Sequence, residues 1–391
     1  VNGASTTAFD GPLLADLADL EARGLLRAPP EISSAQGPEI TIAGRPRLCF
    51  ASNNYLGLAN HPGLAAAAAA GAAAHGVGSG ASRLVSGTMS PHATAERALA
   101  AYVGQESALL FSSGYAANVG AISAFAGPED LILSDALNHA SIIDGCRLSR
   151  ARVIVYPHGD TDFVRATLAR ERTSARRAIV ITEAIFSMDG DAAPVASLGR
   201  AARDFDAALY VDEAHSLGVL GPAGRGLLAQ TGAQADIVLG TLGKSFGAFG
   251  AFVATSAAGT AWLKHRARSF VFSTAPPPLL GPVAEAALAL VVNADAERAR
   301  VVAHANALRA ALRGCGVEIS NDDSPIVPVI LGSPERATAA SAALLERDVF
   351  VQAIRPPTVP EGTSRLRIVP MASHSDAQVA RAIDALVAVL G

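Results

Sequence analysis

The 391 residues are half hydrophobic and 17% charged, the composition of a folded, enzyme-like chain long enough for two lobes around a sizeable core. A formal charge of −4 with no concentrated basic stripe argues against a nucleic-acid partner. Three scattered cysteines, Cys49, Cys146 and Cys315, form neither a disulfide framework nor a metal-ligand spacing and suit a reducing cytosol.

In chain order, Val1 to Asp10 lacks the basic-then-apolar order of a secretory signal. Residues 9–27 place Leu13, Leu14, Leu17, Leu20 and Leu25 near helical spacing and predict an amphipathic helix. Prolines and glycines over 28–46 predict a linker or a short hairpin. Leu64 to Ala74 is apolar but about half the length of a membrane span, and reads as an alanine-rich helix. No membrane association is expected.

From about 60 to 255, short apolar runs alternate with helical segments: Ala108–Phe111, Leu131–Leu133, Val153–Tyr156, Ala178–Thr182, Ala208–Val211, Ile237–Leu239 and Phe252–Ala254. Brief, β-branched runs of this kind predict strands buried on both faces of a mostly parallel sheet, layered between helices. Past about 280 the texture changes. Helices are predicted over 280–293 and 295–313, strands over Ile326–Leu331, Val349–Ala353 and Leu366–Val369, and a last helix over 375–390. The expected organisation is an N-terminal helix and linker (1–50), a large α/β domain (51–280) and a smaller C-terminal α+β domain (281–391).

In open α/β sheets, ligands sit beyond the carboxyl ends of the strands. Polar residues cluster at those ends: Ser112-Ser113-Gly114-Tyr115, His139, Ser187, Asp212 with His215, and Lys244. Taken singly, an Asp there is more often a helix cap and a lone His a satisfied polar residue. The lysine lies in GTLGKSFG (240–247), which superficially suggests a nucleotide phosphate loop. That motif needs a glycine at 238, where Val238 stands, so the spacing fails.

A pyridoxal phosphate site needs a lysine for the covalent bond and a carboxylate for the pyridine nitrogen. It also needs a helix N-terminus for the phosphate and a flat group over the ring. Lys244, Asp212, the Ser113-Gly114-Tyr115 turn and His139 supply one candidate each.

With these motifs in hand, the chain resembles the α-oxoamine synthases, pyridoxal phosphate enzymes of the type I, aspartate aminotransferase-like fold. The resemblance runs from ASNNYLGLANHP (51–62) through GSGASRLVSGT, SDALNHASIIDG, FSMDGD, VDEAH and GTLGKSFG to IRPPTVPEGTSRLRI (354–368). It implies that Lys244 binds the cofactor and later acts as base. Asp212 would pair with the pyridine nitrogen, His215 and Ser187 would lie beside the ring oxygen, and His139 and Ala214 would cover the two ring faces. Ser113, Gly114, Tyr115 and Thr241 would cradle the phosphate. The resemblance further implies a homodimer with shared sites, in which the partner adds Ser273 or Thr274. Asn53 and Arg367 would face the substrate carboxylate, and Arg27 and Arg355 the rest of the substrate.

The implied reaction is a decarboxylative condensation of an amino acid with an acyl-CoA or acyl-carrier protein. The segment RPPTVP and the stretch FSMDGDAAP resemble the branch that joins L-alanine to a pimeloyl thioester, a step of biotin synthesis. Earlier motifs look closer to the branch that joins glycine to acetyl-CoA. A more distant alternative on the same fold is an aminotransferase. Ser216 departs from the family's usual glycine after the VDEAH histidine and is expected to crowd that turn.

Overall fold

The computed structural model describes residues 7–319 and 324–391. Near its start, strands β1 (Glu39–Ile42) and β2 (Arg45–Cys49) form an antiparallel hairpin. Its two-residue turn, Ala43-Gly44, has positive φ at both positions, the backbone twist that tight hairpins favour. Of the two readings for residues 28–46, the hairpin therefore holds for the second half.

Seven strands make the central sheet: β3 (Ser107–Phe111), β4 (Leu131–Asp135), β5 (Arg152–Tyr156), β6 (Ala178–Glu183), β7 (Ala208–Asp212), β8 (Ile237–Thr241) and β9 (Ala251–Thr255). Their order across the sheet is β3-β9-β8-β7-β6-β4-β5, with only β9 antiparallel to its neighbours. Each predicted apolar run lies inside one of these strands. Four of the six parallel strands run on past the apolar residues into a polar one, Asp135, Glu183, Asp212 or Thr241. The first three of these polar ends are buried, so the carboxyl edge of the sheet holds charge inside the fold. Helices cover both faces, and β4, β6 and β9 are buried along their whole length. That two-sided burial is why the strands read as continuous apolar runs.

The C-terminal region holds helices Leu280–Val292 and Asp295–Gly314, followed by strand β10 (Val327–Gly332). The predicted strand Val349–Ala353 is two strands. β11 (Val349–Phe350) pairs in parallel with β2, whereas β12 (Gln352–Ile354) pairs with β13 (Ser364–Ile368). The chain changes sheet at buried Val351, a break that propensity alone does not reveal. Leu48 and Phe50 share a core with Leu308, Val327, Leu366 and Leu386, so the N-terminal hairpin is packed with the last third of the chain. The closing helix, Asp376–Leu390, starts at a reciprocal Ser375/Gln378 capping box.

The first helix is Asp10–Ala22, shorter than predicted, and none of its residues is buried. Leu13 and Leu14 remain 45% and 52% exposed, so its apolar side is uncovered in the single chain. Among the described residues no helix is long and apolar enough to cross a membrane.

Candidate active site

The ends of β6 and β7 form the floor of the site. Glu183 and Asp212 are register partners there and both are buried. Asp212 accepts hydrogen bonds from the Ala214 N–H (3.0 Å) and from Asn118 Nδ2 (2.8 Å). Asn118, in the helix Gly114–Phe125, is itself fixed by the Tyr210 hydroxyl at its Oδ1 (2.8 Å). Its Nδ2 also reaches Ser141 Oγ (2.9 Å), which in turn donates to His139 Nδ1 (2.7 Å). His139 caps the helix Ala140–Ser149 by accepting the Ser141 N–H on the same nitrogen. One chain of polar contacts thus ties the floor carboxylate to the imidazole. Burial holds His139 below the usual histidine range, with the Asp212 charge acting against it.

Lys244 follows β8, and its Nζ lies 2.8 Å from His215 Nε2. Burial pushes the Lys244 amine down to about 8, opposed by the Asp212 and Glu183 charges. Burial likewise holds His215 well below its usual range, so the ring is neutral. Its other nitrogen, Nδ1, meets the Tyr55 hydroxyl at 2.6 Å. Glu183 is pushed up to about 8 by burial and by the Asp212 charge.

Arg367 on β13 closes one wall. Its Nε donates to the Ser187 carbonyl (2.6 Å), one terminal nitrogen to Asn53 Oδ1 (2.8 Å) and the other to the Tyr55 hydroxyl (3.5 Å). The turn that carries Ser187 is pinned from behind by His158, which bridges Asp135 (2.9 Å) and Asp191 (2.7 Å). Hydrogen bonds to those two carboxylates raise His158 to about 10, so it is an imidazolium at neutral pH.

At the end of β3, Ser113 Oγ accepts the Ala116 N–H and caps the helix Gly114–Phe125. The N–H groups of Gly114 and Tyr115 are the first of that helix and point out of its ladder, an anion-binding arrangement. A side chain added at Gly114 would meet nothing within 4 Å, so this end faces open space. The Tyr115 ring is half exposed and its hydroxyl donates to Asp144 (2.8 Å). Thr241 Oγ1 accepts the Gly243 N–H (3.3 Å).

Other predicted residues lie apart from this centre. Ser273 and Thr274 sit on a segment that bridges to Ser82 and line a crevice with Ser112. Arg27 donates to Thr358 Oγ1 (3.1 Å), and Arg355 donates to the carbonyls of Gly24 and Leu26. These arginines tie the N-terminal segment to the 355–361 loop and do not reach Lys244. Between that strap and the Ser187 turn lies a cleft of about 580 Å³, lined by Leu20, Leu25, Asn138, Ser187 and Val359 among others.

Ser216 is fully buried, and its hydroxyl donates to the Glu213 carboxylate and carbonyl. Glu213 in turn accepts the Leu227 and Leu228 N–H groups, so the extra hydroxyl completes a buried network. The glycines around Lys244 mostly serve packing. A Cβ on Gly240 would lie 2.4 Å from the Phe252 ring, and one on Gly247 2.3 Å from Leu58 backbone. A Cβ on Gly243 would make only ordinary van der Waals contact, 3.7 Å from Thr241 Oγ1.

Sequence reasoning missed Tyr55, Asn118, Ser141, His158 and Glu183. Asn118 sits in an otherwise apolar helix and Glu183 directly follows an apolar strand, and both signals were readable.

Residues 46–386 match the family aminotransferase class I and II. The 8-amino-7-oxononanoate synthase of Anaeromyxobacter dehalogenans (strain 2CP-1) is 50% identical over 96% of this chain and 94% of its own. Among solved structures, the serine palmitoyltransferase of Sphingomonas wittichii is 33% identical with a TM-score of 0.91, covering 99% of this chain and 98% of its own. The 8-amino-7-oxononanoate synthase of Francisella tularensis is 28% identical with a TM-score of 0.76, over 88% and 97%. The chain belongs to the aminotransferase class I and II family and, within it, to the α-oxoamine synthases, the branch that holds the 8-amino-7-oxononanoate synthases.

Proposed function

We propose that this chain is an 8-amino-7-oxononanoate synthase. It joins L-alanine to a pimeloyl thioester, carried on CoA or a carrier protein, and releases the carrier and CO2. The observation that carries this reading is the coincidence of half-identity to such synthases over nearly the whole chain with Lys244, His215 and Asp212 gathered at one sheet edge.

The residues present fit pyridoxal phosphate. A buried carboxylate, an amine of lowered pKa, a flat neutral imidazole and an open helix N-terminus are four groups with no shared structural need. Lys244, Asp212, His139, His215, Ser187 and Ala214 would hold its ring, and Ser113, Gly114, Tyr115 and Thr241 its phosphate. When bound, the group draws electrons from the substrate α-carbon.

The chain's own residues do the rest. At pH 7 about a tenth of an amine with a pKa near 8 is neutral, a workable population for taking a proton at Lys244 Nζ. Asp212, with two donors fixed on it, presents a negative charge to the ring nitrogen it would face. Arg367, oriented by Ser187 and Asn53, keeps further N–H groups for a substrate carboxylate. The cleft beside Ser187 and Val359, with Leu20 and Leu25 on its wall, suits the methylene stem of the pimeloyl group.

In this proposal two copies pair with shared sites, Ser273 or Thr274 of one protomer serving the phosphate of its partner, and the enzyme works in the cytoplasm. Condensation of glycine with acetyl-CoA is the second reading, favoured by the early motif ASNNYLGLANHP. Borohydride reduction of the cofactor-loaded protein, followed by peptide mapping, is expected to fix the pyridoxyl group on Lys244. A protein that takes up no pyridoxal phosphate would end the assignment.

A further inference from the structure

Tyr55 is fully buried, is absent from the expected set of site residues, and contacts His215 where that ring faces away from Lys244. We infer that Tyr55 is a positioning residue that fixes the tautomer of His215 and thereby favours the neutral, reactive form of Lys244. The inference builds on the proposed role of Lys244, but the hydrogen-bond geometry alone carries it.

The polarity of the chain follows from its fixed end. Arg367 is a guanidinium and can only donate. It donates to Asn53 Oδ1 at 2.8 Å, so Asn53 must turn its oxygen that way, and it donates to the Tyr55 oxygen at 3.5 Å. The single Tyr55 proton then has two acceptors, His215 Nδ1 at 2.6 Å and Asn53 Oδ1 at 3.4 Å. The nearer one, not already taken by an arginine, is Nδ1. A neutral imidazole that accepts at Nδ1 carries its proton on Nε2. That proton points along the 2.8 Å contact to Lys244 Nζ, which can accept it only as an amine, so this tautomer favours the neutral form. Were Lys244 an ammonium, His215 would need the opposite tautomer. Tyr55 would then accept at the 2.6 Å contact, and its own proton would be left with the 3.4 Å contact to Asn53.

The charged and titratable groups facing Lys244 are Asp212 on β7, Glu183 on β6, Arg367 on β13, and His215 and His139. The first two favour the ammonium and Arg367 opposes it. All of them remain when the Tyr55 hydroxyl alone is removed. In Tyr55→Phe, His215 is free to offer a bare Nε2 to an ammonium, so the Lys244 pKa must rise.

The test uses the full chain freed of cofactor, with Lys244 labelled by acetic anhydride across pH and quantified by peptide mass spectrometry. Tyr102→Phe is the control, since it also removes a buried hydroxyl, one that donates to Ala223 and Gly224. Tyr55→Phe is expected to raise the Lys244 pKa by about one unit and to lower labelling at pH 7 by about tenfold. Tyr102→Phe should match the wild type. An unchanged Lys244 pKa in Tyr55→Phe would overturn the inference. If that variant does not fold, histidine 15N shifts of the wild type decide: a proton on His215 Nε2 supports the inference and one on Nδ1 overturns it. Failure of pyridoxal phosphate to label Lys244 would remove the proposed function yet leave these readouts intact. Labelling of Lys244 with an unmoved pKa would remove only the role of Tyr55.

Discussion

At the strand ends, Asp212, Glu183, His215 and Tyr55 are each at most 5% exposed and the polar contacts there run from one side chain to the next. Across the cleft, the helix Asp10–Ala22 buries nothing and is joined to the 355–361 loop by Arg27 and Arg355. The buried half has a low dielectric, so its charges shift one another and its protons have few alternatives. The strap has neither property. Chemistry is therefore assigned to the floor and acyl-chain selection to the strap, and the two halves should fail in different ways.

The largest effect is expected at the floor. On the proposed function, Lys244→Ala removes the covalent attachment point and the base together, and should lower kcat by at least about 10⁴-fold while the melting temperature holds. A variant with more than a hundredth of wild-type turnover would place the base elsewhere. Asp212→Asn keeps the shape but deletes the charge, and a fall of roughly 10²–10³-fold in kcat is expected from steady-state kinetics. A fall in KM without a change in kcat would contradict its proposed pairing with the ring nitrogen.

At the strap, Arg355→Ala should raise KM for the acyl donor about three- to tenfold with kcat nearly unchanged, the signature of lost uniform binding. An equal loss in kcat would show that the two halves are not separable. His158 offers the smallest and most selective effect. Its pKa is raised in the fold, so its clamp on Asp135 and Asp191 stabilises fully below about pH 6.5 and is lost as pH rises through about 10. The wild-type melting temperature should decline over that window, and His158→Gln should lack that part of the slope. Parallel pH profiles for the two proteins would remove the clamp.

The same contrast explains what could be read in advance. Buried strands are short and apolar, so all seven strands of the central sheet were legible, and polar residues after five of the runs pointed to the site. Lys244, Asp212 and His139 stood out because different strand ends converge on one place. Tyr55 did not, because its meaning lies in a contact with His215, 160 residues away. Arg27 and Arg355 likewise meet their partners 331 residues along the chain, and nothing local in the sequence shows that they brace a strap. The split of 349–353 into two sheets was hidden for the same reason: pairing partners, not propensity, decide it.

The central claim is the pairing of substrates. A matrix of alanine, glycine and serine against acetyl-, succinyl-, pimeloyl- and palmitoyl-CoA, followed by CoA release from the cofactor-loaded enzyme, tests it most directly. The account predicts the highest kcat/KM for alanine with pimeloyl-CoA. Faster turnover of glycine with acetyl-CoA would contradict it.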